Sequence, residues 1–103
     1  MDIEATKRKI ADFIRSNPLQ FREKRNGFLK INSFESLNIL DLNVVDKENF
    51  KYEFSGTCKI QIIDEITDGG AYYSPSRSKI EGSLIILKGK EIMINEPIII
   101  ENL

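Results

Sequence analysis

A chain of 103 residues, 41% hydrophobic and 30% charged, has apolar material for one core and too little length for two independent ones. Its 15 Lys and Arg against 16 Asp and Glu leave a net charge of −1, which argues against a general electrostatic attraction to nucleic acid. Histidine is absent, so Ser-His-Asp, Cys-His and His-metal arrangements cannot be assembled within one chain.

A single domain over 1–103 follows. No charged segment precedes an apolar run of signal-peptide length, and the longest aliphatic runs are far too short to span a bilayer, so the expected location is cytoplasmic and off the membrane. The lone Cys58 cannot form an internal disulfide. Charge is segregated along the chain: residues 1–34 carry net +4, residues 35–68 net −5, and residues 69–103 balance. Such segregation can steer a partner, although solvated helix faces and turns produce it too.

Asp2 is a natural N-cap for a helix ending near Ser16, with Ile3, Ile10, Phe13 and Ile14 on one stripe and Asn17-Pro18 as the stop. From Leu19 to Phe34 the signals conflict. Asn26-Gly27 marks a turn, and a strand is expected over Phe28 to Ser33. Arg22, Lys24, Arg25 and Lys30 form a basic patch around that turn, without the glycine-rich cradle of a phosphate site.

Leu37 and Ile39 lie on odd positions and Leu40, Leu42 and Val44 on even ones, a parity change that predicts a β-bulge near Ile39-Leu40. Asp46-Lys47-Glu48-Asn49 then turns the chain into the plainest strand of the sequence. In Phe50 to Ile63 the even positions are apolar or glycine, and the odd ones up to Gln61 are polar. Gly69-Gly70 reads as the next turn, the segment up to Lys79 as a loop carrying Tyr72 and Tyr73, and Lys79 to Leu87 as the return strand. Gly82 is expected to face Gly56 across this hairpin, with a bulge at Pro75 to reconcile the register. Lys88-Gly89-Lys90 turns into a strand over Glu91 to Asn95, and Pro97, at an edge or bulge, precedes a last extended piece.

The architecture implied is α+β: one N-terminal amphipathic helix packed on a bent, bulged antiparallel β-meander of four to six strands. A helix followed by a curled meander resembles the general plan of cystatin-like and NTF2-like folds. That plan hosts enzymes, binders and structural proteins alike and carries no site residue over to this chain.

Cys58 falls on the apolar face, where a thiol behaves as a small hydrophobe, and Asp64, Glu65 and Asp68 lack calcium-loop spacing. No catalytic residue, metal or cofactor is therefore assigned, and the chain is read as a non-enzyme. The main reading is a protein-binding module, such as a small inhibitor, immunity-type protein or assembly subunit. It would use the outer sheet face and Tyr72, Tyr73, Arg77 and Lys79, because tyrosine and arginine are common interface anchors. The alternative is a small-molecule or catalytic pocket between helix and sheet, built from Phe13, Phe54, Gly56, Cys58 and Gly82. Ile98-Ile99-Ile100 needs cover on two sides, which raises a homodimer as a further partner.

Overall fold

The computed structural model describes residues 2–24, 27–67, 70–88 and 91–102, with side chains described at all of these except 32, 62–67, 70–76 and 102. Helix α1 spans Ile3–Ser16. Asp2 is extended, and its Oδ1 accepts the Ala5 amide at 3.2 Å. Its carbonyl accepts the amide and hydroxyl of Thr6 at 3.0 and 2.9 Å. Glu4 and Arg15 lie at the ends whose partial charges they oppose. The helix stops at Asn17, which is extended as a residue before proline must be, and whose Nδ2 donates to the Phe13 carbonyl at 2.8 Å. Ile10 and Ile14, one turn apart, are fully buried against the sheet.

Among the described residues seven strands follow: β1 (Phe21–Glu23), β2 (Gly27–Leu29), β3 (Ile31–Asp46), β4 (Lys51–Thr67), β5 (Gly70–Ile86), β6 (Ile92–Met93) and β7 (Ile98–Asn102). They form one mostly antiparallel sheet in the order β2-β1-β7-β5-β4-β3, with β6 also on β5. The α+β class stands. The count exceeds the expected four to six because β1, β2 and β6 are pieces of two or three residues.

The β3–β4 turn is held by Asp46, whose Oδ1 accepts the amides of Glu48 and Asn49 at 3.1 and 3.2 Å and whose Oδ2 accepts the Asn49 side chain at 2.6 Å. These hydrogen bonds, the Asn49 side chain first, keep its carboxyl below the usual carboxylate range. Edge strand β3 departs from regular register at four places, including the anticipated one between Ile39 and Asp41. Repeated bulging twists an edge away from foreign strands.

The β4–β5 hairpin differs from expectation. Gly82 pairs with Phe54, and Gly56 with Ile80, so the two glycines sit two positions out of line. The register is continuous from Lys51–Ile85 to Asp64–Tyr72, and its one shift comes after Asp64 rather than at Pro75. Pro75 pairs with Gln61 beyond the reach of β7, where β5 has a neighbour on one side only and a missing N–H costs nothing. Tyr72 and Tyr73 belong to β5, paired with Asp64 and Ile63, and not to a loop.

The chain is also not a simple meander. β7 inserts between β1 and β5, parallel to the former and antiparallel to the latter. From the pair Ile85–Met93 to the pair Ile80–Ile100, β5 advances five residues and its partner seven. The two extra residues are taken up around Pro97, as its chemistry foretold. Insertion also gives the isoleucine run its cover: Ile98 and Ile100 enter the core, and Ile99 lies half-buried on the opposite face. With them Phe21, Leu37, Ile39, Phe54, Cys58, Ile60, Ile80 and Leu84 fill the space beneath α1. Phe21 meets Phe34 edge to face, with ring centroids 5.6 Å apart.

Candidate functional site

A 14-residue helix is about 21 Å long, whereas the molecule extends 50 Å along its main axis. Strands β4 and β5, of 17 residues each, therefore outrun the helix. Beside the first turns of α1 lies a cleft of about 580 Å³. Its floor is Phe50 just before β4 and Tyr52 within it, Ile86 at the end of β5 and Leu87 just after it, and Ile92 of β6, while Ala5, Thr6 and Lys9 form the helical wall. Asp2 and Lys88 complete the rim.

Local structure explains each wall. Tyr52 and Ile86 are even positions of strands whose even residues face the helix. The turn after Asp46 closes with Phe50 at φ 56°, a left-handed conformation that glycine or asparagine usually occupies, and Phe50 is half-buried there. The Phe50 carbonyl accepts the Ile86 amide at 3.1 Å, and the Leu87 amide donates to the Glu91 carbonyl at 2.9 Å, so both sides of the floor are pinned by backbone. Ile3 and Leu87 remain 53% and 38% exposed, as does Val44, the cross-strand neighbour of Tyr52, at 58%. Of these, Leu87 lines the cleft itself, while Ile3 follows the lining residue Asp2 in the chain and Val44 pairs with the lining residue Tyr52.

The outer sheet face is different in kind. Arg22, Glu53, Glu81, Glu96 and Ile99 line a shallow groove, with the Ser83 hydroxyl donating to Glu96 at 3.2 Å. Farther along, Glu35 accepts Gln61 Nε2 at 2.9 Å and lies 3.3 Å from Lys59, contacts that hold its carboxyl below the usual range. Charges of both signs alternate there, as on an ordinary solvated face. Among the described residues, no group of three or more potential metal ligands comes together.

The residues singled out from sequence are distributed as follows. Arg77 and Lys79 are exposed on the outer face, opposite Lys59 and Thr57. The side chains of Tyr72 and Tyr73 lie outside those described, as do those of the Asp64-Glu65-Asp68 cluster. Phe54, Gly56, Cys58 and Gly82 do come together beneath the helix, but as packed core. The Phe54 ring occupies the space over Gly82, with Cζ 2.9 Å from where a Cβ would stand, and the Asn38 carbonyl presses on Gly56. Phe13 is half-buried and outside that cluster. The open space between helix and sheet lies at the other residues described above. No pattern local to these residues marked them as a group in the sequence.

Cys58 is buried, and desolvation pushes its thiol up to about 11. Iodoacetamide at pH 8 should therefore label the native protein only as fast as it opens, and labelling at the rate of a free thiol would show that Cys58 is accessible.

The chain matches no protein-family model, and neither characterised proteins nor solved structures show a significant similarity to it.

Proposed function

We propose that the chain is a non-enzymatic protein-binding module, in the manner of a small inhibitor, immunity-type protein or assembly subunit, and that its principal recognition surface is the cleft at the head of α1. The carrying observation is the apolar lining of the cleft, Phe50, Tyr52, Ile86, Leu87 and Ile92, of which Leu87 is exposed, next to a helix start where Ile3, the chain neighbour of the lining residue Asp2, is exposed as well. Covering such groups is favourable at about 25 cal/mol per Å², and a concave patch with aromatic anchors is where binding energy concentrates. The mixed-charge outer face, with Arg77 and Lys79, offers a polar rim rather than an anchor.

The experiment is affinity capture from the source lysate with the wild-type chain, an Ile3→Gln/Leu87→Gln variant and a Tyr72→Ala/Tyr73→Ala variant. Both glutamines replace exposed side chains, so the fold survives. A stoichiometric protein lost from the first variant and kept by the second is the expected result. Loss from the tyrosine variant alone would move the interface to the distal hairpin, and equal recovery on all three baits would reject both surfaces.

A second reading has its own observation. A volume of about 580 Å³ falls within the usual range of small-ligand sites, roughly 300–1,000 Å³. A ligand that raises the melting temperature of the wild type and not of the glutamine variant would favour it.

A further inference from the structure

We infer that the segment received by the cleft carries carboxylates flanking its apolar anchors; this rests on the protein-binding reading and specifies the partner. The floor selects for apolar side chains but says nothing about sign, and the rim supplies that. Lys9 and Lys88 both line the cleft, both are exposed, and neither is in an ion pair among the described residues. The other described lysines near α1 do not compete for the role: Lys7 is 3.5 Å from Glu4 on the helix surface. The lone acid of the rim, Asp2, has Oδ1 committed to the Ala5 amide.

The helix adds a second contribution of the same sign. Asp2 is its N-cap, and Ala5 and Thr6 belong to its first turn, so the cleft lies at the end of a 14-residue α-helix where the partial charge is positive. Glu91, the nearest acid in sequence to Lys88, contributes its carbonyl to the turn and does not line the cleft. Two ammonium groups with no ion pair among the described residues, together with a helix N-terminus, outweigh the one carboxylate of Asp2 and favour an anionic occupant. Because the groove between them is apolar, the anion must be attached to an apolar body. A protein segment with two or three apolar residues bordered by Asp or Glu has that chemistry, and a basic amphipathic segment would be repelled.

The test is selection of a displayed random short-peptide library on the folded full chain, with the Ile3→Gln/Leu87→Gln variant used to remove binders that do not need the cleft. Retained peptides are expected to show paired apolar residues with an excess of Asp and Glu. A synthetic representative should bind about tenfold more weakly to Lys9→Glu/Lys88→Glu, whose fold is checked by its unchanged melting curve, and nearly normally to Lys9→Arg/Lys88→Arg. Its affinity for the wild type should also fall with added salt. Retained peptides without an acidic excess, or binding indifferent to the charge reversal, would overturn the inference and leave the protein-binding cleft standing. Failure to select any peptide that distinguishes wild type from the glutamine variant would overturn that cleft reading itself. Sedimentation completes the set: a dimer dissociated by the glutamine substitutions would make a second copy the occupant and overturn the acidic-segment inference.

Discussion

Replacing Gly56 with alanine should lower the free energy of unfolding by about 3 kcal/mol or more, an effect at the severe end for one methyl group. Gly56 is not in a left-handed conformation, so the cost does not come from its own backbone. It comes from the neighbouring strand. A Cβ at position 56 would meet the Asn38 carbonyl oxygen inside contact distance, with the Asn38 carbonyl carbon at 2.9 Å and Ile39 Cα at 3.0 Å. All three belong to β3 main chain, which cannot rotate away as a side chain would. The cause is the bulge: β3 slips register between Ile39 and Asp41, directly beside the Gly56–Ile39 pair, and tips its carbonyl over β4. Gly27→Ala is the control. It has an unfavourable positive φ of 90° but nothing within 4 Å, so it should cost about 1 kcal/mol. Urea midpoints decide the comparison, and a Gly56→Ala midpoint no lower than that of Gly27→Ala would mean that the strands do not approach as described.

The same place shows how far the sequence could be read. The parity change from Leu37 and Ile39 to Leu40 and Leu42 located the bulge, because a pleated strand cannot bury both sets without an extra residue. The glycine in the middle of the best alternating strand signalled a close approach. That the bulge and the glycine were one feature was not legible, since nothing local states which residue of β3 lies opposite Gly56. Pairing Gly56 with Gly82 was reasonable on composition, but cross-strand register is set by the whole hairpin, and two positions separate the glycines. Local chemistry succeeded where it is self-sufficient, as at the Asp2 cap, the Asn17-Pro18 stop and the Asp46 turn. It failed where one strand's place depends on another far away: β7 joins β1 in parallel through the pairs Phe21–Ile98 and Glu23–Ile100, and no property of Ile98-Ile99-Ile100 names Phe21 as neighbour.

For the site, a gap between helix and sheet was anticipated at residues other than those that line the cleft. It was expected at Phe13, Phe54, Cys58 and the Gly56/Gly82 gap, where two glycines suggested missing volume. Missing volume at a glycine is an invitation to a neighbour, and Phe54 and the Asn38 carbonyl accepted it. The opening in the structure lies instead beside the first turns of α1, against Tyr52, Ile86 and Leu87. Where the helix crosses the strands is set by long-range packing, and no residue of Ile3–Ser16 states which strand residues it leaves uncovered.

Phe54→Ala should cost about 3–5 kcal/mol, since the ring is 2% exposed and sits against the backbone of Gly82 with Ile98 beside it. Domains of this size have about 5–15 kcal/mol to lose, so the variant stands near the edge of folding, and a second arm keeps the claim testable. Gly82→Ala alone should destabilise by about 1–3 kcal/mol, because its methyl would fall 2.9 Å from Phe54 Cζ and 3.1 Å from Cε1. Those atoms are the far end of the ring. Leucine at position 54 withdraws them and leaves room for a methyl, so Phe54→Leu/Gly82→Ala should be more stable than the two single changes summed, by about 1 kcal/mol or more. Additivity within about 0.5 kcal/mol would show that the ring does not fill the glycine's space. The cycle also separates core from cleft. Tyr52 lies two residues along the same face from Phe54 and pairs with Leu84, and the Ile86 amide donating to the Phe50 carbonyl joins the strand ends beside it; none of these lies among the atoms nearest the exchanged volume. If the cleft is the binding surface proposed above, the repacked double variant should bind there as the wild type does, because the exchanged volume lies in the packed core and apart from the cleft lining.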